Sequence, residues 1–286
     1  MPPRVVLVTG SSTGFGRALV EAILANGDIA IATLRKPSAL DDLSSKYGPD
    51  RLVVLPLDVA KVEQVDSVFA TIKERFGGLD AVVNNAGISA FGEVEGTDEQ
   101  KTRELFETNF FGLLNITHKA VAFFRNVNPT RGGSVVQISS NAGVKAIPGL
   151  GVYSATKAAV EAVSDALNDE LDPAWNIKVT VVEPGAFRTN LVNNVAALAP
   201  HPAYSSPSLA VNQFRAALAD WPIKGDPTKA AKVILKLFEV PAQDRPRRLV
   251  LGEDALETIK IKAKELLELA EKDEIVAASV NLNEFQ

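Results

Sequence analysis

The chain has 286 residues, of which 46% are hydrophobic, and a formal net charge of −5 with a pI near 5.3. The acidic balance and the lack of a basic run argue against a nucleic-acid ligand. The absence of cysteine excludes disulfides, thiolate chemistry and cysteine zinc sites, and no segment has the uncharged apolar length of a membrane span.

This length is enough for one large domain with a substantial core. The stretch before Gly10 is too short for a signal peptide, and a cysteine-free chain fits a reducing compartment. We therefore expect a soluble, cytoplasmic protein. The two histidines, His118 and His201, are far apart and form no ligand motif, so no metal is expected.

Short apolar runs alternate with longer helical patterns along the chain. The runs occupy residues 4–10, 28–34, 51–59, 79–87, 133–140, 177–185 and 247–252. Uninterrupted apolar runs are typical of parallel strands buried on both faces, and segments between them, such as GRALVEAILANG, carry helical spacing. The alternation predicts an α/β fold: a doubly wound parallel β-sheet of Rossmann type, in a single domain with helices on both faces.

Two regions depart from this alternation of predicted strands and helices. Residues 190–226 are irregular around a possible helix at 209–221, which is typical of a functional loop or lid. Residues 253–286 predict a charged amphipathic helix with a loose end, so we divide the chain into a domain of residues 1–252 and a C-terminal extension. An apolar stripe on this helix is expected to dock on its own domain or on a partner chain; it consists of Ile259, Leu266, Leu267, Leu269 and Ala270.

A glycine-rich turn, TGSSTGFG, follows the first predicted strand and opens the first helix. In this context the pattern indicates a site for a dinucleotide pyrophosphate. Gly10 allows the tight turn, Gly14 lets the backbone approach the phosphates, and Gly16 lets the helix lie close to the sheet. The helix N-terminus then offers free N–H groups to the anion. The alternative is an ordinary strand-to-helix turn.

The second predicted strand ends at Leu34 and is followed by Arg35 and Lys36. Proteins that bind NAD usually carry an acidic residue here for the ribose hydroxyls. A guanidinium can instead bind a 2′-phosphate through two hydrogen bonds, and Ser12 could add a hydroxyl. The pattern favours NADP(H), with a solvated turn at Arg35 as the alternative.

Tyr153 and Lys157 stand four residues apart in YSATKAAVEA, which reads as the start of a helix. This spacing places both side chains on one face. A nearby cation favours the phenolate and should lower the phenol pKa from about 10, so the pair predicts a tuned acid/base. The alternative is a core tyrosine beside a solvated lysine.

These motifs resemble those of the classical short-chain dehydrogenases/reductases. TGSSTGFG matches the cofactor motif of that family, and four further motifs follow in order and at family spacing: NNAG at 84–87, SS at 139–140, YSATK at 153–157 and PGAFRT at 184–189. The resemblance is specific over residues 4–190 and extends through 252. In its second strand and serine-containing turn the chain looks most like the 17β-hydroxysteroid dehydrogenase-like and carbonyl-reductase branch.

The resemblance implies a set of catalytic roles. Ser140 would hold the substrate carbonyl, Tyr153 would be the acid/base, and Lys157 would also bind the nicotinamide ribose. Asn109 would keep a water beside the lysine and so give a proton path to solvent. Asn109 could alternatively be a capping or packing residue.

The resemblance also implies where the cofactor would lie. Asp58 would hydrogen-bond the adenine ring. The complete set of expected cofactor contacts is Gly10, Ser12, Gly14, Phe15, Gly16, Arg35, Asp58, Val59, Asn85, Ala86, Gly87, Tyr153, Lys157, Pro184, Gly185, Phe187 and Thr189.

The function implied is reversible NADP(H)-dependent reduction of a ketone or aldehyde by a homodimer or homotetramer. Apolar residues of the irregular region suggest a moderately hydrophobic substrate, with packing of the lid as the alternative; these are Leu191, Val195, Leu198, Tyr204, Phe214 and Trp221. A catalytically silent NADP(H)-binding sensor or scaffold is the alternative, although Ser140, Tyr153 and Lys157 are all present. An extended-type epimerase or dehydratase would need another glycine spacing and a larger C-terminal domain.

Overall fold

A computed structural model describes residues 2–128, 132–189, 195–218 and 223–279, with only the backbone at 274–278. Its strands, in chain order, are β1 Val5–Thr9, β2 Ile29–Leu34, β3 Leu52–Pro56, β4 Ala81–Asn84, β5 Ala90–Phe91, β6 Gly133–Ile138, β7 Ile177–Pro184, β8 Ala196–Ala197 and β9 Arg248–Leu251. Seven of them form one parallel sheet in the order β3-β2-β1-β4-β6-β7-β9. Each of the seven corresponds to one predicted apolar run.

The helices fill the intervals between the strands. They are α1 Gly14–Ala25, α2 Asp41–Lys46, α3 Val62–Phe76, α4 Glu99–Phe106, α5 Gly112–Asn126, α6 Asn141–Val144, α7 Gly151–Glu170, α8 Ala210–Leu218, α9 Pro227–Lys236 and α10 Glu253–Ser279. A π-helical turn at Glu107–Phe111 joins α4 to α5. Among the described residues, no helix combines the length and the apolarity that crossing a bilayer requires.

Hydrophobic side chains pack on both faces of the large sheet. In β1, Val6 and Val8 belong to one core and Leu7 to the other, because successive side chains of a strand point to opposite faces. The first core is covered by α1 and α9 and the second by α3 and α5; Ile23 and Ile72 are fully buried examples. The predicted doubly wound α/β fold is confirmed.

The order of the strands locates a crevice. Strand β1 lies between β2 and β4, so the chain proceeds outward in one direction to β3 and in the other to β9. In such sheets ligands bind outside the carboxyl ends of the strands where the order reverses. Thr9 and Asn84 end the two strands at this point.

The irregular region after β7 is partly ordered against the rest of the molecule. Strand β8 pairs in parallel with β5, with Ala90 opposite Ala196 and Phe91 opposite Ala197. The helix expected at 209–221 corresponds to α8 at 210–218, and residues 219–221 lie outside the described residues. Of the side chains expected at the substrate end, Leu191 and Trp221 lie outside the described residues.

The C-terminal helix is present, but its predicted apolar stripe docks on its own domain only at Ile259, and the alternative of a partner chain stays a prediction. Leu266, Leu267 and Leu269 are 52%, 65% and 53% exposed, and Ala270 is exposed as well. Only Ile259 of the predicted stripe is half-buried. Beyond the ion pair of Glu265 with Lys145, the later turns of the helix are exposed among the described residues.

Candidate active site

Tyr153 and Lys157 lie in the first two turns of α7, which begins at Gly151. Both side chains are buried, with exposures of 8% and 5%. The ammonium nitrogen of Lys157 lies 5.7 Å from the centre of the Tyr153 ring. The helical spacing therefore places phenol and ammonium together inside the protein, which disfavours the alternative of a solvated lysine.

Ser140 approaches the same point from the end of β6. It caps α6, accepting a hydrogen bond from the backbone N–H of Ala142 at 3.2 Å, and its hydroxyl donates to Asn141 at 3.2 Å. Its side chain also acts on Tyr153, where it lowers the pKa of the phenol against the effect of burial. The end of the strand thus places the Ser140 hydroxyl near the phenol.

Asn109 lies in the π-helical turn and is completely buried. Its amide nitrogen donates to the carbonyl of Ile88 (2.9 Å) and to the hydroxyl of Thr156 (3.1 Å), and its oxygen accepts from the N–H of Ile88 (2.8 Å). A Cβ on Gly87 would lie 3.4 Å from the Asn109 oxygen and 3.7 Å from Lys157 Nζ. The asparagine is thus firmly held close to the lysine, with only a glycine between them.

The pKa of Tyr153 differs from the sequence-based expectation. Burial raises it to about 12, and the side chain of Ser140 opposes this only in part. Removing the phenol from water penalises its charged form, and this is the largest cause of the shift. The expected lowering by Lys157 is therefore wrong for this structure, and Tyr153 is a phenol that keeps its proton at neutral pH.

Lys157 is itself affected by burial, which lowers its pKa to about 8, while the negative charge of Glu161 acts to raise it. Its ammonium donates to the carbonyl of Ile138 at 2.8 Å. Glu161 is 6% exposed and accepts a hydrogen bond of 2.7 Å from Ser139. The Ser139 hydroxyl therefore holds the carboxylate whose charge acts on Lys157.

Sequence reasoning missed Glu161 and its second partner, Arg248 of β9. The guanidinium of Arg248 contacts Glu161 at 3.1 Å, Asp165 at 2.5 Å and Glu183 more closely still. Glu183 is 1% exposed, and burial followed by the charge of Glu161 raises its pKa. The four-residue spacing from Lys157 to Glu161 could have revealed the glutamate, because such residues share a helix face.

The glycine-rich turn, TGSSTGFG, joins β1 to α1 and is shaped by close backbone contacts. Gly10 and Gly14 have φ angles of +67° and +57°, which side chains rarely allow. A Cβ on Gly10 would lie 2.7 Å from Cα of Ala86, and one on Gly16 would overlap the carbonyl of Gly10. Thr13 makes no side-chain cap to α1, so its hydroxyl does not occupy the first-turn N–H groups, and these can bind an anion. These features fit a dinucleotide pyrophosphate.

The NNAG segment is tied to the end of β1. The hydroxyl of Thr9 accepts hydrogen bonds of 3.0 Å from the N–H groups of Asn85 and Ala86. The Asn85 side chain donates to the carbonyls of Thr9 (2.9 Å) and Gly10 (3.0 Å). Asn85, Ala86 and Gly87 therefore lie in the crevice between β1 and β4.

The loop that follows Pro184 closes the other side of the glycine-rich turn. Gly185 donates its N–H to the carbonyl of Leu251 at 2.9 Å. Phe187 packs on Phe15 with ring centres 4.8 Å apart. A Cβ on Gly14 would lie 3.0 Å from Cβ of Thr189. The structure thus brings three predicted cofactor segments to one crevice.

The end of β2 presents a cation to solvent. Leu34 is only 3% exposed and belongs to the core, whereas Arg35 and Lys36 are exposed. Leu34→Asp would place a carboxylate in the core, which costs free energy of folding. A change in NADPH or NADH affinity in that variant would therefore not report on cofactor choice alone. At the end of β3, Asp58 accepts from the N–H of Ala60 at 3.1 Å, Val59 is buried, and Ser12 is half-buried in the turn beside β1.

Together these groups can do proton-transfer chemistry in a site sheltered from water. Tyr153 can donate a proton, Ser140 can hydrogen-bond an oxygen, and Lys157 can supply a positive charge. Among the residues that the structure describes, no group of three or more metal-ligating side chains occurs. The chemistry of the crevice is therefore that of acid–base groups beside a site for a dinucleotide.

Comparison with known proteins gives one consistent family. The sequence model described as short chain dehydrogenase matches residues 4–200. An uncharacterized oxidoreductase of Schizosaccharomyces pombe is 37% identical over 284 residues, which cover 98% of this chain and 92% of the relative. An NADPH-dependent 3-dehydrocapnine reductase of Ornithobacterium rhinotracheale is 35% identical over 191 residues, 66% of this chain and 67% of that protein.

A solved structure agrees with these sequence matches. The crystal structure of a short-chain dehydrogenase from Streptomyces avermitilis superposes with a TM-score of 0.87 at 40% sequence identity. The match covers 99% of this chain and 100% of the other, so it includes the C-terminal helix as well as the sheet.

Proposed function

Because the chain belongs to the short-chain dehydrogenase family, we propose that it is an NADP(H)-dependent oxidoreductase. It reduces a small to medium, moderately hydrophobic ketone or aldehyde and oxidises the corresponding alcohol in reverse. The observation that carries this proposal is the buried Tyr153, which is protonated at neutral pH and whose pKa is influenced by the side chain of Ser140. A proton donor beside a hydroxyl is what a carbonyl oxygen needs as it gains negative charge.

The residues divide the work between binding and proton transfer. A bound nicotinamide supplies the hydride. Ser140 orients the substrate carbonyl, and Tyr153 gives its oxygen a proton. Lys157 stabilises the phenolate that remains and binds the ribose, while Asn109 supports the return of a proton from solvent.

The preference for NADP(H) rests on Arg35. It is exposed at the end of β2, where no acidic residue stands to repel a phosphate. A guanidinium and a phosphate form strong charge-assisted hydrogen bonds. The similarity to a reductase named as NADPH-dependent supports this choice.

An apolar substrate fits the side chains near the start of α7. Phe91 stacks on Phe214 of α8 with ring centres 6.0 Å apart, and a Cβ on Gly149 would overlap the Phe91 ring. Leu198 donates its N–H to the carbonyl of Phe91 at 2.8 Å. Val94, 67% exposed, lies beside Gly151. These groups offer an apolar wall on the substrate side of Tyr153.

We also propose the organisation inferred from the sequence. Residues 1–252 form the oxidoreductase domain with a substrate lid at about 190–226, and residues 253–286 form an extension. The protein is cytoplasmic and assembles as a homodimer or homotetramer. The absence of cysteine is in line with a reducing compartment.

The test is to follow NADPH and NADH oxidation by absorbance with a panel of ketones and aldehydes, and the reverse reaction with secondary alcohols. We expect turnover with NADPH and at least one apolar carbonyl. Tight NADPH binding without turnover on any member of the panel would favour the silent sensor instead. Failure to bind either cofactor would contradict both.

A further inference from the structure

The described part of helix α10 contacts the domain along its first half, as far as Glu265. Ala255 is fully buried, and Asp254 accepts a 2.7 Å hydrogen bond from the N–H of Ala186. Glu265 forms an ion pair with Lys145. Every residue from 263 to 273 is exposed, which corresponds to roughly 16 Å of helix at 1.5 Å per residue. This part of α10 therefore extends into solvent.

The extended part presents apolar side chains on one side. Leu266 and Leu267 are more than half exposed. Ala263 and Ala270 lie three or four residues from them, which places all four on one helix face. Single exposed leucines are ordinary, but several apolar side chains in a row on an exposed helix face indicate a surface that binds another protein surface.

Around the exposed leucines, lysines and glutamates occupy different parts of the helix. Lys260, Lys262 and Lys264 come first, followed by Glu265, Glu268 and Glu271. Lys264 and Glu268 lie 3.7 Å apart in one chain, yet their side chains are 79% and 64% exposed and remain accessible. Within residues 260–273, the part at 260–264 carries only lysines as charged residues and forms a basic half, whereas the part at 265–273 carries four acidic residues and one lysine and forms an acidic half. The acidic first turns of α10, at 253–257, lie against the domain and outside this segment.

We propose that α10 pairs in antiparallel fashion with α10 of a second copy of this chain, about a two-fold axis near Leu266 and Leu267. A two-fold contact must be self-complementary. Antiparallel pairing places the basic half of each copy against the acidic half of the other, with leucines meeting leucines at the centre. Parallel pairing would oppose lysine to lysine.

The same features disfavour a membrane surface as the occupant. Helices that lie on membranes carry basic residues along their polar face, whereas half of this segment is acidic. The proposed contact does not depend on the catalytic assignment, because it involves none of the residues of the active site.

A charge-swap experiment tests the proposal in the full-length protein. Lys260→Glu/Lys264→Glu makes both halves acidic, and Glu268→Lys/Glu271→Lys makes both halves basic. Sedimentation velocity should show each variant alone losing one two-fold association step, so that its mass is half that of the wild type. An equimolar mixture should regain the wild-type mass, because opposite charges meet again in the mixed pair.

The matched control is Lys46→Glu/Lys73→Glu, which changes the net charge equally on α2 and α3 and should keep the wild-type mass. Variants that keep the wild-type mass would overturn the proposal, and so would a mixture that does not regain it. A wild-type protein that is monomeric at every concentration would also overturn it. If α10 binds a different kind of partner instead, the charge variants would not change the self-association of the protein, and the proposal would be overturned.

The orientation can be tested because the chain has no cysteine of its own. Ala263→Cys and Ala270→Cys lie about 10 Å apart along one helix, while a disulfide requires Cα atoms within about 7 Å. Antiparallel pairing predicts a cross-linked dimer from the mixture of the two variants and none from either alone. Cross-linking of one variant with itself, or of none, would overturn the antiparallel arrangement.

Discussion

The charge of Lys157 is set by two opposing effects. Burial lowers its pKa to about 8, and the carboxylate of Glu161 acts in the opposite direction. Lys157 therefore loses its proton as the pH rises through about 8, whereas Tyr153, with a pKa raised to about 12, stays protonated. Carbonyl reduction should decline over that pH range because the positive charge beside the phenol disappears.

Glu161→Gln should shift this decline to lower pH. The substitution removes the negative charge that favours the ammonium of Lys157, so the pKa of the lysine falls further. The measurement is kcat/KM for carbonyl reduction as a function of pH. Asp165→Asn is the control, since it also removes a partner of Arg248 but is expected to leave the profile in place. An unchanged profile in Glu161→Gln would show that the glutamate only packs.

Arg35→Ala should weaken NADPH binding and barely affect NADH. Losing a hydrogen bond to a charged group costs about 1.5–3 kcal/mol, which corresponds to about one to two decades in affinity. Titration of both cofactors measures this, and raised salt should weaken NADPH more because the contact is near the surface. Lys73→Ala on α3 is a control for charge alone. Equal affinities before and after the change would make Arg35 only a solvated turn residue.

At the scale of elements, long apolar runs predict strands well, and very short strands escape prediction. All seven strands of the main sheet follow from runs such as residues 4–10, since a parallel strand buried on both faces must be apolar throughout. Strands β5 and β8 have two residues each, too few for any periodicity. Their pairing depends on how the irregular region folds back, which no local pattern contains.

Helix α8 is held to the domain by an ion pair that the sequence does not reveal. Arg215 contacts Glu93 at 2.6 Å, and the glutamate side chain is 2% exposed. Burial acts to raise the pKa of Glu93, but hydrogen bonds from Arg215 and from backbone N–H groups hold it below its ordinary value of 4.5. The stabilisation is thus present above pH 4.5 and is lost as the pH falls through the lower folded-state value.

Arg215→Met should loosen the region around α8. It leaves the buried carboxylate of Glu93 without its cation, which costs on the order of 1–3 kcal/mol. Hydrogen exchange of the amides in 210–218 should accelerate, and KM should rise more than kcat falls because substrate enclosure weakens. Gln213→Ala, an exposed change on the same helix, should have neither effect. Unaltered exchange in Arg215→Met would mean that other contacts hold the helix.

At the scale of the whole molecule, motifs predict which side chains meet, but not what surrounds them. Ser140, which follows β6 at the carboxyl edge of the sheet, meets Tyr153 and Lys157 because both of these lie in the first turns of α7 near that edge. The raised pKa of Tyr153 was not predictable, because it depends on burial by the entire fold. Arg248 reaches Glu161 from 87 residues away, a distance that no spacing rule covers. The free face of α10 likewise depends on where the domain ends.

The most direct test of the account compares Tyr153→Phe with the wild type in NADPH oxidation and NADPH binding. Phenylalanine keeps the buried ring and deletes only the hydroxyl that gives the proton. General acid catalysis contributes about 10²–10⁴-fold, so kcat should fall by that factor while NADPH affinity stays unchanged. Near-normal turnover by Tyr153→Phe on a carbonyl that the wild type reduces would contradict the assignment of Tyr153 as the proton donor.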